Sequence, residues 1–172
     1  MKKYLFIAAL MIAAAFSLTS CGGDDDEPKV KTEATATYFM TFSQDLLDAA
    51  TVFITYKADN GRPGKEAITS TTWTKRVTSN KFPAEFGVYY EFYSKADADL
   101  FKEKYDLYCD VSFNLTTNKG ASSSPQKIVI MDEKGVAKKK VESTLGKYSG
   151  KSKGFKFSEN GVPTEANNLK YD

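Results

Sequence analysis

Residues 107–115, LYCDVSFNL, alternate apolar and polar side chains without a break. Leu107, Cys109, Val111, Phe113 and Leu115 fall on one side. Tyr108, Asp110, Ser112 and Asn114 fall on the other. Successive side chains of an extended chain point to opposite faces, so this period of two specifies a strand with one face buried. A helix would scatter the same five apolar residues around its circumference. The rest of the chain must supply an apolar layer for that row to lie against.

Other segments repeat the pattern. Thr37 to Ser43 places Tyr38, Met40 and Phe42 on one face. Thr51 to Lys57 turns Val52, Ile54 and Tyr56 inward, although Phe53 interrupts its polar face. Glu85 to Tyr93 is the most aromatic run, with Phe86, Val88, Tyr90 and Phe92 opposed to Tyr89, Glu91 and Tyr93. Ala67 to Val77 reads as a threonine-rich strand with Trp73 near its centre. Residues 127–131 and 136–142 read as a hairpin turning at Asp132 to Gly135. A last strand runs from Gly154 to Ser158. Gln44 to Ala49 reads as a turn or one helical turn. Asn60-Gly61 suits positive φ, and Pro63-Gly64 adds a second turn signal. Residues 95–105, KADADLFKEKY, offer a short helix, with a stripe of Ala96, Leu100, Phe101 and Tyr105; an extended connection is the other reading.

These segments predict an all-β fold: a two-layer antiparallel β-sandwich, immunoglobulin-like in general architecture. A small eight-stranded β-barrel is the alternative. Long amphipathic helices between strands are missing, which excludes a βαβ arrangement. The predicted organisation is a single β-rich domain over 34–160, followed by a polar tail over 161–172.

The N-terminus has a different character. Lys2 and Lys3 precede an apolar run from Tyr4 to Phe16, and small and polar residues follow. That order marks a secretory signal over residues 1–20. The run is shorter than the roughly 17–25 residues a membrane-spanning helix needs. Leu18-Thr19-Ser20-Cys21 resembles a bacterial lipobox. The resemblance implies diacylglycerol on the Cys21 thiol, cleavage just before it, and acylation of the new amino group. Gly22-Gly23-Asp24-Asp25-Asp26-Glu27 resembles the acidic surface-export signal of Bacteroidetes-type lipoproteins. It implies a lipid-anchored protein of the outer membrane facing the cell exterior, with a periplasm-facing anchor as the alternative. Residues 21–33, rich in glycine and acid, read as a flexible tether.

Removing residues 1–20 leaves 172 − 20 = 152 residues, enough for one core. The precursor's charge of +2 disappears with Lys2 and Lys3, so the balance is 22 basic against 22 acidic and does not favour nucleic acid. Eight lysines fall between Lys134 and Lys156, against one acid, Glu142. They read as a solvated hairpin face, with lysine discouraging edge-to-edge pairing; attraction to an anionic surface or acidic glycan is the alternative. There are two cysteines. With Cys21 thioether-linked, Cys109 has no partner and reads as a small buried hydrophobe.

The chain has no histidine, which excludes a histidine-containing nucleophile triad and a histidine-based zinc site. No cofactor motif is present, and Gly61, Gly64 and Gly87 lack phosphate-loop spacing. Ser152-Lys153 has no accompanying catalytic pattern. The carboxylate pairs Glu85/Glu91 and Asp106/Asp110 are the candidates for hydrolysis, but nothing in their spacing selects them over surface charge. The better candidate surface is aromatic. Trp73, Tyr89 and Tyr93 form a possible ligand platform for a sugar or protein partner. The expected role is therefore a non-catalytic outer-surface lipoprotein binding glycan or protein. A structural component of an envelope complex is the alternative, and an enzyme inhibitor or hydrolase ranks below both.

Overall fold

The computed structural model describes residues 31–171. The expected export signal, Cys21 and the expected tether as far as residue 30 lie outside the described residues. In chain order the strands are β1 (Ala34–Phe42), β2 (Ala50–Lys57), β3 (Pro63–Ile68), β4 (Thr72–Ser79), β5 (Ala84–Ser94), β6 (Lys104–Thr117), β7 (Gln126–Ala137), β8 (Lys151–Phe157) and β9 (Pro163–Glu165). Two short helices, α1 (Gln44–Ala49) and α2 (Val141–Tyr148), lie between strands. The first sheet has the order β4-β1-β6-β7 and the second β3-β2-β5-β8-β9. Every pairing is antiparallel. The two sheets form a two-layer sandwich and do not close into a barrel.

The alternating rows become the core. Tyr38, Met40, Val111, Phe113 and Leu115 from the first sheet are fully buried, as are Val52, Ile54, Phe86, Val88 and Phe157 from the second. Each such side chain contributes about 1.5–3 kcal/mol by leaving water. Tyr38 meets its first-sheet neighbour Phe113 edge-to-face at 5.6 Å, and Phe113 in turn links the layers by an edge-to-face contact with Phe155 of β8 at 5.2 Å. Tyr38 also crosses between them. Its hydroxyl donates to the Lys57 carbonyl at 2.7 Å and accepts from the Gly87 N–H at 3.3 Å. Burial pushes its ionisation well above the usual phenol range, so it stays a donor. Cys109 is fully buried in the β6 row, as the alternation predicts.

Four local expectations are corrected. The Ala67 to Val77 segment is two strands in different sheets, because the chain crosses between layers at residues 69–71. Residues 95–105 form one 3-10 turn, Asp97–Asp99, and then enter β6. Leu100 and Tyr105 are buried but Phe101 is 71% exposed, so the supposed stripe never gathers on one face. The 127–142 hairpin is a single strand followed by a helix. Lys134 and Gly135 both oppose Asp106 at a register shift in β7, and Gly135 adopts φ +59° there while donating its N–H to the Asp106 carboxylate at 2.7 Å. Glycine therefore marks a bulge rather than a turn. Beyond it Val141, Thr144 and Leu145 bury one stripe of α2. The lysines of 134–156 consequently divide among β7, a 3-10 turn, α2 and β8.

The C-terminal segment belongs to the sandwich. Pro163–Glu165 adds an edge strand to β8, and Leu169 is buried. Gly87 and Gly154 are cross-strand partners. A Cβ on either would lie 2.7 Å from Leu169 Cδ1, so the paired glycines make the hollow that receives this side chain. Residues 166–171 thus strap the outer face of the second sheet.

Candidate functional site

The outer face of β5 is set by its register. Phe86, Val88, Tyr90 and Phe92 point into the core, which turns Tyr89, Glu91 and Tyr93 outward. Tyr89 and Tyr93 are four residues apart on this face, roughly 13 Å at strand rise. Phe53 of β2 lies opposite Glu91 and joins the same surface.

Tyr93 is 52% exposed, but its ring is held in place. It meets Phe53 edge-to-face at 6.0 Å, and its hydroxyl donates to Glu91 at 2.8 Å. Lys65 donates to the other Glu91 oxygen at 2.6 Å and lies 5.1 Å over the Phe53 ring. The Lys65 and Tyr93 hydrogen bonds hold the Glu91 carboxyl below its usual range. The result is an aromatic edge with an ion pair beside it.

Tyr89 stands in a different setting. The strap brings the Tyr171 ring to 6.0 Å from it, and Lys57 lies 5.3 Å over Tyr171. Ser152 of β8 donates its hydroxyl to the Asn167 carbonyl at 2.7 Å, and the Ala166 N–H donates to the Gly154 carbonyl at 2.8 Å. Tyr89, Ser152, Asn167, Leu169 and Tyr171 line a groove of about 730 Å³. Its volume falls in the range of small-ligand sites. Burial pushes the Tyr171 hydroxyl upward, keeping it protonated.

Trp73 does not join this face. It lies in the first sheet, stacked on Tyr38 with ring centroids 6.2 Å apart, and its indole N–H donates to Glu66 at 2.8 Å. Lys75 and Tyr56 also reach Glu66, at 2.6 and 2.9 Å. This cluster clasps edge strands β3 and β4 of opposite sheets. The platform expected from Trp73, Tyr89 and Tyr93 therefore divides: the two tyrosines share a face, and the tryptophan is part of the clasp. Tyr171 and Leu169 escaped the sequence reading because the tail looked polar. Phe53 carried a visible signal, as an apolar residue on an otherwise polar strand face.

The four candidate acids are engaged. Glu85 faces Lys156 at 3.2 Å, Glu91 holds Lys65 and Tyr93, and Asp106 accepts from Gly135. Asp110 accepts from Thr41 at 2.7 Å, Tyr108 at 2.5 Å and Lys127 at 3.1 Å. Among the described residues, no group of three or more Cys, Asp or Glu is placed to share a metal ion. Burial pushes the Cys109 thiol well up, away from the reactive thiolate.

No protein-family model matches the chain, and no curated protein matches it.

Proposed function

We propose that this chain is a non-catalytic lipoprotein of the outer bacterial surface, anchored through lipid on Cys21, that binds a glycan on the outer face of its second sheet. The observation that carries the binding reading is the Tyr89–Tyr171 groove, where two rings stand beside the exposed Asn167 side chain and the Ser152 hydroxyl. Aromatic faces and amide groups suit the apolar and hydroxylated sides of a sugar ring. The groove lies on a sheet face whose backbone bonds are largely used within the sheet, so recognition falls to side chains. The anchor and location rest on the lipobox-like residues 18–21 and the acidic residues that follow.

A glycan array probed with the full mature chain in detergent tests the binding. Saccharide binding that Tyr89→Ala and Tyr171→Ala both abolish supports it, and an array with no binding removes it. Metabolic labelling with a palmitate analogue, lost in Cys21→Ala, tests the anchor. Protease treatment of intact cells tests which side the domain faces.

The second reading, a structural component of an envelope complex, draws on β7. This twelve-residue strand is the edge of the first sheet, with Val129 53% exposed. Cross-linking in intact membranes that recovers a stoichiometric partner through β7 favours this reading.

A further inference from the structure

Tyr89 and Tyr93 stand on the same outward row of β5, yet their surroundings differ. Tyr89 forms the wall of a groove with Tyr171. Tyr93 stands in the open, its ring fixed by Phe53 and its hydroxyl by Glu91. A ligand held only by the groove makes no use of Tyr93. A fixed, exposed ring has little side-chain entropy left to lose when a ligand lies on it.

We propose that the face takes an extended oligosaccharide running along β5, with one aromatic station at Tyr89–Tyr171 and a second at Phe53–Tyr93. This rests on the glycan reading above and specifies the length of its ligand. The spacing of the stations, roughly 13 Å at strand rise, exceeds the reach of a single ring. Between them lies Glu91, already paired with Lys65. A chain passing over Glu91 meets hydrogen-bonding groups without leaving a lone buried charge. Two linked contacts on one ligand make the second an intramolecular event, so affinity rises with length until both stations are filled.

The test is calorimetric titration of the full mature chain in detergent. The probes are size-fractionated oligosaccharides of starch, xylan, mannan and chondroitin, from disaccharide to hexasaccharide. The expected result is affinity that climbs with length and then levels. Tyr93→Ala should weaken the longest binding oligosaccharide by about tenfold and leave the short ones unchanged. Tyr171→Ala should weaken long and short alike. Tyr93→Phe, which keeps the ring on Phe53 but frees it from Glu91, should lose less affinity for the long oligosaccharide than Tyr93→Ala does.

Short saccharides binding as tightly as long ones would overturn the two-station ligand while leaving the glycan reading intact. So would a Tyr93→Ala variant that binds every length normally. Failure of all four ladders removes the glycan reading and this inference together. Binding of unfolded casein instead, weakened equally by Tyr89→Ala and Tyr93→Ala, would assign the face to polypeptide.

Discussion

Gly87 of β5 faces Gly154 of β8 across the ladder, and Leu169 fills the hollow their missing side chains leave. A methyl group on Gly87 would lie 2.7 Å from Leu169 Cδ1 and from the Tyr171 hydroxyl, and 2.9 Å from the Lys153 carbonyl. Gly87→Ala should therefore cost about 1–3 kcal/mol, the usual penalty for overpacking. Urea unfolding measures the loss. Trypsin should cut more readily at Lys170, because the strap is lifted. Adding Leu169→Ala should recover part of the loss, and an unperturbed Gly87→Ala protein would contradict the hollow.

The Glu66 clasp predicts an acid-sensitive stability. Lys75 and Trp73, with Tyr56 behind them, lower the carboxyl from 4.5 to about 2. A depressed carboxylate stabilises the fold fully above its unfolded value, and the contribution is lost as pH falls from 4.5 toward 2. The side chain is a third exposed, so solvent screening reduces the effect to about 1 kcal/mol. Glu66→Gln should be less stable than wild type at pH 7, with the gap narrowing at about pH 3. Urea midpoints at both pH values decide it, and an identical gap would rule out the charge.

Tyr38→Phe removes one oxygen and orphans two backbone groups, the Lys57 carbonyl and the Gly87 N–H. Both lose a partner that reaches them from the opposite layer. The expected cost is about 1–3 kcal/mol. Denaturant unfolding checks it, and stability equal to wild type would show that the hydroxyl bridge contributes nothing.

Cys109 should be silent toward a thiol reagent such as Ellman's in the native protein and react once in denaturant. Its side chain is fully buried and its thiol is held in the protonated form. A fast native reaction in the Cys21→Ala variant would show that β6 opens.

Two layers were legible in the sequence because period-two alternation reports burial directly. Leu107 to Leu115 and Phe86 to Phe92 kept the faces their spacing assigned. Helix α2 was missed because its stripe of Val141, Thr144 and Leu145 is short and starts where the strand pattern ends. Gly135 misled because glycine serves a turn and a bulge equally well, and only pairing with Asp106 separates them. Tyr89 and Tyr93 share one face, as the period-two spacing of β5 predicts. Trp73 was not separable from them, since nothing local reveals that residues 69–71 carry the chain into the other sheet. The strap was invisible for a related reason. Leu169 alone has no periodicity, and its socket comes from two glycines 67 positions apart in the chain.

Strand β1 is paired along nearly its whole length on both sides, with β4 from Ala34 to Thr41 and with β6 from Ala34 to Phe42. It is also the first strand after Lys31. A pull on Lys31 along the axis of β1 therefore meets two ladders in shear, where many hydrogen bonds must fail together. An edge strand peeled from its end would give way one bond at a time. Whatever is joined upstream of residue 31 transmits tension into a strand of the first sheet that is clamped on both sides.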